Sequence, residues 1–186
     1  MSLKGSRTTA DYINFDTATN KGRELLKEKK TEIIGLYILV SINTGLRTGD
    51  ILNLSWEQLR EDILHLEESK TKKPKEIALN DEIRRAVNKV DKGRSGKVFL
   101  SQKNQVFSRQ QINRKLKAIF STQAKKYNIS THSLRKSFGR RVYENNNESE
   151  KALVYLNDLF NHSSIAITRR YLGIRQEELN NIYLNL

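Results

Sequence analysis

The chain has 186 residues, of which 34 are Lys or Arg and 21 are Asp or Glu, so its formal net charge is +13. This length suits one domain with its own core. So large a positive excess is typical of a domain that binds nucleic acid, with a merely basic surface as the alternative. The absence of cysteine excludes disulfides and thiolate metal sites, and no apolar run is long enough to cross a bilayer, so we expect a cytoplasmic protein with no metal and no cofactor.

The first quarter of the chain predicts two helices after a polar lead-in. Residues 1–15 show no sustained period and are expected to be flexible or extended, which places the domain at residues 16–186. Residues 19–30 predict a charged helix. Residues 32–44 are apolar on nearly every side, which is typical of a helix buried at the centre of a bundle. Gly45 can end that helix in a left-handed turn.

Arg47 stands at the start of a short second helix, and Asp50 follows three positions later. This spacing places the Asp50 carboxylate where it can hold the Arg47 guanidinium in one orientation. An arginine held at the mouth of a buried helix would form a preset anion clamp. A plain surface ion pair explains the segment equally well.

Residues 55–80 alternate apolar and polar positions, which predicts strands. Three strands, at residues 55–59, 62–67 and 76–79, would form a small antiparallel sheet. The turn before the third strand is crowded with lysines, namely Lys70, Lys72, Lys73 and Lys75. Such a run is usually just solvated, but at a hairpin tip it can reach into a DNA groove.

The rest of the chain predicts mainly helices, at residues 80–90, 108–126, 131–145 and 149–159. Further helical turns begin at Ser163 or Ser164 and lead to Tyr171, Gly173 acts as a stop, and residues 177–186 form an amphipathic segment. The helix at 108–126 exposes a basic face that includes Arg109 and Arg114. That face suits a phosphate backbone, and a solvated face is the alternative.

Four residues in the second half of the chain form a chemically suggestive set. His132 and Arg135 are three positions apart on one predicted helix, so both stand on the same side. His162 precedes Tyr171 by nine positions. Together they offer anion-binding donors, a proton carrier and a hydroxyl nucleophile, which suits attack on a phosphodiester.

Taken in order, these motifs resemble those of the tyrosine recombinases, the family of the phage integrases and the Xer-type recombinases. The resemblance covers residues 16–184. Its motifs are Thr44-Gly45-Leu46-Arg47 with Asp50, the hairpin lysine Lys70, His132-Ser133-Leu134-Arg135, and His162 with Tyr171. It implies an α+β fold that is mainly helical, with seven to nine helices and a small three-stranded antiparallel sheet.

The chain departs from the family pattern at two points. The family usually carries glycine before the second histidine, where this chain has Asn161 within Leu159-Phe160-Asn161-His162. Asparagine tolerates the left-handed conformation better than most residues, so the turn can survive. The second departure is that the N-terminal helical domain, with which most integrases complete their clamp around DNA, is expected to be absent.

The resemblance also implies a reaction, site-specific DNA recombination through a 3′-phosphotyrosyl intermediate on Tyr171. Arg47 and Arg135 would bind the non-bridging oxygens of the scissile phosphate. His132 is expected to accept the proton of Tyr171, and His162 to donate one to a phosphate oxygen.

The leaving 5′ oxygen needs a proton donor, and the resemblance implies Lys70, with Lys72 and Lys73 as competing candidates. Asp50 would orient Arg47 from behind. Two other functions are the alternatives: a DNA relaxation enzyme like the type IB topoisomerases, and a non-catalytic or architectural DNA-binding module.

The implied partner is double-stranded DNA. The protein is expected to be a monomer in free solution and to form a tetramer on DNA, and no membrane is involved. The residues expected to contact DNA are Lys72, Lys73, Arg109, Arg114, Lys136 and Arg140. We expect Lys136 and Arg140 to point away from His132 and Arg135. The C-terminal segment would dock either onto a neighbouring protomer or back onto its own domain.

Overall fold

The computed structural model describes residues 10 to 185, with the backbone alone for residues 175 to 179. The described chain forms helices α1 Phe15–Leu25, α2 Glu32–Thr44, α3 Thr48–Leu52, α4 Trp56–Arg60, α5 Asp81–Val90, α6 Arg109–Ile119, α7 Ser121–Ala124, α8 Thr131–Asn145, α9 Glu150–Phe160, α10 Ile165–Leu172 and α11 Ile174–Leu184. Strands β1 Ile63–Glu67 and β2 Pro74–Ala78 pair antiparallel between α4 and α5. The predicted fold class, mainly helical with a small antiparallel sheet, is confirmed.

Helix α2 lies at the centre of the domain, as its all-round apolar sequence predicts. Residues 36–40 are fully buried, and α1, α5 and α8 pack around them. Gly45 ends the helix in the left-handed region, with a φ of 62°. A Cβ there would lie 2.3 Å from Cδ1 of Phe138, so a side chain is excluded by packing as well as by backbone conformation. Arg47 follows this tight turn by two residues and precedes α3.

The first of the three predicted strands is wrong, because residues 56–60 form α4. Ser55 caps this helix: its side chain accepts from Gln58 N, and the Gln58 side chain accepts from the Ser55 N–H in return. Such a capping box favours a helix locally. Trp56 and Leu59 are three positions apart and both are buried, a spacing that puts them on the same face of a helix but on opposite faces of a strand. The sheet in the described chain therefore has two strands.

Two hydrophobic clusters form the core, and α8 joins them. Leu134 belongs to the large cluster around α2, whereas Tyr143 belongs to a smaller one formed with α9 and α10. Gly139 lets α9 and α10 approach α8 closely, since a Cβ there would lie 2.6 Å from Leu172 and 3.0 Å from the Phe160 ring. The candidate site lies where these clusters meet.

Residues 10–14, at the start of the described chain, lie outside the helices and strands and pack against the domain. Ala10 and Ile13 are buried, and Ile13 N donates to the Ser137 hydroxyl at 3.1 Å. Residues 1–9 of the predicted lead-in lie outside the described range. Among residues 10–185, no helix combines the length and the apolar character needed to cross a membrane.

Candidate active site

Arg47 and Arg135 converge on a single backbone oxygen at the end of α9. Nη2 of Arg47 donates to the Phe160 carbonyl at 3.0 Å, and Nη2 of Arg135 donates to the same carbonyl at 3.2 Å. Arg135 also donates to the Gly45 carbonyl. Its guanidinium carbon lies 4.3 Å from the centroid of the Phe160 ring. Two planar forks from distant parts of the chain are thus held side by side.

The Tyr171 ring packs edge-on against the Phe160 ring, which also contacts Arg135. The two ring centroids are 5.5 Å apart and nearly perpendicular. The Tyr171 hydroxyl oxygen is buried, close to Arg135, yet it meets no described group with hydrogen-bond geometry. Burial raises the pKa of Tyr171 to about 12, although the charges of Arg135 and Arg47 act to lower it.

His162 is oriented by a chain of hydrogen bonds behind its ring. Its Nδ1 lies 2.9 Å from Thr168 Oγ1, which itself donates to Asn157 Oδ1 at 3.3 Å. With the Thr168 proton directed at Asn157, Nδ1 would donate to Thr168 and Nε2 would be the free acceptor. Burial, and then the charges of Arg135, Arg47 and Lys70, lower the pKa of His162 to about 4. The ring is therefore neutral at pH 7.

His132 lies in the first turn of α8, which Ser130 caps by accepting from the His132 N–H at 3.2 Å. Desolvation of the ring by the surrounding protein, and then the charges of Arg109, Arg135 and Lys136, lower the pKa of His132. A neutral imidazole can accept a proton at physiological pH.

A buried carboxylate at the site, Glu68, escaped prediction from the sequence. The side chain is fully buried, and its Oε2 lies 2.7 Å from Arg47 Nη1. Thr71 Oγ1 donates to the same oxygen at 2.7 Å, and Asn161 Nδ2 at 2.8 Å. Burial alone would raise the pKa of Glu68, but the bonds from Thr71 and Arg47 and the charge of Lys75 outweigh it and hold the pKa at about 2.

The hairpin lysines differ in exposure, and only Lys75 among them is partly buried. Lys75 enters the site: its Nζ donates to the Leu159 carbonyl at 2.5 Å and lies 3.5 Å from Glu68. Burial lowers the pKa of Lys75. Lys70 is exposed, but it is near enough for its charge to depress the pKa of His162. Lys72 and Lys73 are also exposed. The only signal that could have singled out Lys75 is its place beyond the turn, in a strand that packs on the domain.

The prediction that Asp50 orients Arg47 is wrong. The Asp50 carboxylate accepts from the backbone N–H of Ser69 at 2.8 Å and from its hydroxyl at 2.7 Å. The partners found explain the difference: Glu68 and the Phe160 carbonyl bind the Arg47 guanidinium, and Ser69 binds the Asp50 carboxylate. Asp50 therefore fixes the hairpin next to Lys70, and Glu68 is the carboxylate that holds Arg47.

The predicted DNA-contacting residues fall into two groups. Lys72, Lys73, Arg109 and Arg114 are exposed. Arg140 is only 12% exposed, with its guanidinium carbon 5.1 Å from the centroid of the Tyr12 ring. Lys136 does not point away from the site as predicted; it is 7% exposed, and its Nζ lies 5.3 Å from the Tyr171 ring centroid. Packing of α9 and α10 onto α8 encloses that side of the helix.

Comparison with known proteins gives consistent matches. The sequence profile of the phage integrase family matches residues 19–178. The probable integrase/recombinase YoeC of Bacillus subtilis (strain 168) is 31% identical over 163 residues, which is 86% of each chain. The crystal structure of XerA recombinase is similar in fold, with a TM-score of 0.69 at 18% identity, and covers 100% of this chain and 66% of that one. XerH site-specific recombinase in a pre-cleavage complex with difH substrate gives a TM-score of 0.67 at 17% identity, over 98% of this chain and 56% of that one. The chain thus spans about two thirds or less of these two solved structures.

Proposed function

Since this chain belongs to the phage integrase family, we propose that it recombines DNA by cleaving and rejoining strands, with Tyr171 forming a 3′-phosphotyrosyl intermediate. One observation carries the proposal: Arg47 and Arg135 meet at one oxygen, and Arg135 also lies beside the buried hydroxyl of Tyr171. That arrangement supplies an anion cradle and a nucleophile in the same small volume.

In the proposed reaction, the two guanidinium groups bind the non-bridging oxygens of the scissile phosphate. Negative charge accumulates on those oxygens as the phosphorus becomes five-coordinate, and rigid donors already in place stabilise it best. The contacts of Arg47 and Arg135 to the Phe160 carbonyl keep both forks in position before DNA arrives.

Tyr171 must lose its proton as it attacks the phosphorus. With a pKa of about 12 in the free protein, the hydroxyl stays protonated at neutral pH and needs a base during the attack. We assign that role to His132, whose lowered pKa keeps it neutral and able to accept. The bond between phosphorus and the 5′ oxygen breaks as the phosphotyrosyl bond forms. A 5′-hydroxyl from the partner strand then reverses the step.

His162 and Lys70 complete the proposed proton movements. Nε2 of His162 faces the phosphate while Thr168 holds Nδ1. The negative charge of the phosphate raises the pKa of His162 on binding, which lets it donate to a phosphate oxygen. Lys70 protonates the departing 5′ oxygen, and Lys72 and Lys73 are the alternatives. Lys75 is excluded from that role here, because the Leu159 carbonyl and Glu68 already bind its ammonium group.

DNA would lie across the exposed basic residues near the site, Lys72, Lys73, Arg109 and Arg114. We further propose that a tetramer assembles on DNA from free monomers. The end of α11 supports assembly, because Ile182, Tyr183 and Leu184 are 59%, 75% and 81% exposed. Deleting residues 175–186 and measuring the mass of the DNA-bound assembly distinguishes docking onto a neighbour from packing within one chain, since unchanged assembly argues for the latter.

The test of the proposed chemistry is a nicked suicide substrate from which the cleaved fragment diffuses away. The wild type should accumulate a protein–DNA adduct that survives SDS. Tyr171→Phe should bind the same DNA with unchanged affinity and form no adduct. An adduct with Tyr171→Phe would refute the assignment of the nucleophile, and no adduct with the wild type on its own DNA site would leave a non-catalytic binding module as the function.

A further inference from the structure

Glu68 lies in the β1–β2 hairpin and joins it to two segments that are distant in sequence. Its carboxylate contacts Arg47 ahead of α3, Thr71 in the hairpin turn, Lys75 in β2, and Asn161 at the end of α9. The side chain is fully buried. Hydrogen bonds and ion pairs within a buried network support one another, so a carboxylate with this many partners fixes all of them in one arrangement.

Charge explains why an acid belongs beside an anion-binding site. Arg47, Arg135 and Lys75 lie close enough that the charges of both arginines act to depress the pKa of Lys75. Without a counter-ion, these cations would repel one another and move toward solvent. Glu68 binds Nη1 of Arg47 and the ammonium group of Lys75, while Arg135 takes backbone oxygens instead. Oε2 of Glu68 thus takes the contacts from Arg47, Thr71 and Asn161, and Oε1 lies 3.5 Å from Lys75 Nζ.

Asn161 extends this network to the segment that carries His162. It adopts the left-handed conformation, with φ 50° and ψ 49°, at the C-terminal end of α9. Glycine would suit that backbone, but only a side chain can reach Glu68, and Asn161 Nδ2 does so at 2.8 Å. The asparagine therefore serves two purposes, a permissive backbone and a tie between the His162 turn and the Arg47 clamp.

We propose that Glu68 is a positioning residue for the reaction: its carboxylate sets the orientation of the Arg47 guanidinium and, through Asn161, fixes the turn before His162. This inference rests on the proposed phosphotyrosyl chemistry for its effect on rate. Its structural part, that Glu68 immobilises Arg47, stands independently. A residue of this kind acts on the rate of cleavage through Arg47 and hardly on the affinity for DNA.

The first test measures single-turnover adduct formation on the suicide substrate. Glu68→Gln removes the charge and keeps the shape, and should slow cleavage about 10- to 100-fold, the range for losing one charged hydrogen bond. Glu67→Gln is the matched control, since Glu67 is exposed and lies 3.6 Å from the exposed Lys72; it should change the rate less than about twofold. Glu68→Asp should recover part of the rate. DNA affinity should stay within about twofold throughout, because no proposed DNA-contacting residue is removed.

A double-mutant cycle separates positioning from a general loss of structure. If Glu68 acts through Arg47, Glu68→Gln should slow an Arg47→Ala protein less than about threefold further. In a Lys70→Ala protein, where the Glu68 contacts are intact, Glu68→Gln should keep its full effect. Equal effects in both backgrounds would overturn the proposal.

The second test is independent of activity. In the wild type, the ¹⁵N NMR signal of Arg47 Nε–H, assigned with Arg47→Lys, should be sharp and protected from exchange with solvent. In Glu68→Gln it should broaden and exchange faster, whereas in Glu67→Gln it should not change. An unchanged Arg47 signal in Glu68→Gln would disprove the positioning role. A wild type that forms no adduct would instead disprove the proposed chemistry and leave the NMR result valid.

Discussion

Arg47 and Arg135 share one hydrogen-bond acceptor, the backbone oxygen of Phe160, at 3.0 and 3.2 Å. Neither arginine relies on the other for its orientation, because Glu68 holds one and the Gly45 carbonyl holds the other. The two forks are therefore preorganised in the absence of DNA. Preorganised charge stabilises a transition state more than charge that must first be brought into place.

The first prediction concerns the planar shape of these groups. Arg47→Lys and Arg135→Lys keep the positive charge but lose the fork, and each should lower the cleavage rate about 100-fold, equivalent to about 3 kcal/mol. Single-turnover adduct formation measures the loss. Arg23→Lys is the control, since Arg23 is an exposed residue paired with Glu82; its rate should equal that of the wild type. A lysine variant as fast as the wild type would show that charge alone suffices.

The second prediction concerns the hydroxyl behind His162. Thr168 is fully buried and bridges His162 Nδ1 and Asn157. Thr168→Val keeps the shape and removes the bridge, so it should slow cleavage about tenfold, the equivalent of a hydrogen bond of about 1.4 kcal/mol. Thr168→Ser keeps the hydroxyl and should restore the rate to within about threefold. If Thr168→Ser is as slow as Thr168→Val, the hydroxyl alone does not orient His162.

The third prediction isolates the left-handed backbone of Asn161. Both Asn161→Gly and Asn161→Ala lose the bond to Glu68, so their difference reports the backbone alone. Because an alanine pays for a φ of 50° in steric strain, Asn161→Ala should have a free energy of unfolding about 1 kcal/mol below that of Asn161→Gly. Urea denaturation followed by circular dichroism measures both values. Equal stabilities would mean that the turn relaxes to another conformation in the alanine variant.

The fourth prediction is a dependence of stability on pH. The pKa of His162 falls from 6.5 to about 4 on folding. Between these values the unfolded chain binds more protons than the folded one, so the free energy of unfolding should decrease as the pH falls from 6.5 toward 4. The contribution to stability of Glu68, whose pKa is lowered from 4.5 to about 2, is lost only as the pH falls below 4.5. Unfolding measured from pH 7 to 4.5 should show the decrease.

The matching variants identify the group responsible for this pH dependence. His162→Gln should flatten the curve between pH 6.5 and 4.5, because the titrating ring is gone. His65→Gln, on the exposed face of β1, is the control and should leave the slope as it is. A slope that survives His162→Gln would assign the effect to another group, with His132 the first candidate, since its pKa is also lowered on folding.

Local features of the sequence predicted most elements of the fold. The bounds of α2 follow from its all-round apolar residues and the glycine after it, and Asn80 caps α5 as its amide side chain predicts. The strand predicted at residues 55–59 could have been recognised as a helix, because Trp56 and Leu59 are three positions apart, which suits one helical turn and not an alternating strand. The capping box of Ser55 and Gln58 is a second local signal for a helix.

The network around the candidate site was less accessible from the sequence. Motif spacing singled out the residues now found near the Phe160 carbonyl, but not the partner of each. Glu68 reads as the polar end of a strand, yet it is buried and accepts from Asn161 at the end of α9. Lys136 packs on Tyr171 of α10, and Asp50 bonds to Ser69 in the hairpin instead of Arg47. Such pairings depend on how distant segments pack, which no short-range pattern encodes.

The position of Phe160 as the last residue of α9 has one more consequence. Its carbonyl receives both arginines and its ring supports Tyr171, so a tilt of this single helix end would disturb every one of those contacts together. The nucleophile and its clamp are therefore mechanically linked. Whatever loosens the end of α9 should switch the centre off as a unit and would not leave a half-assembled form.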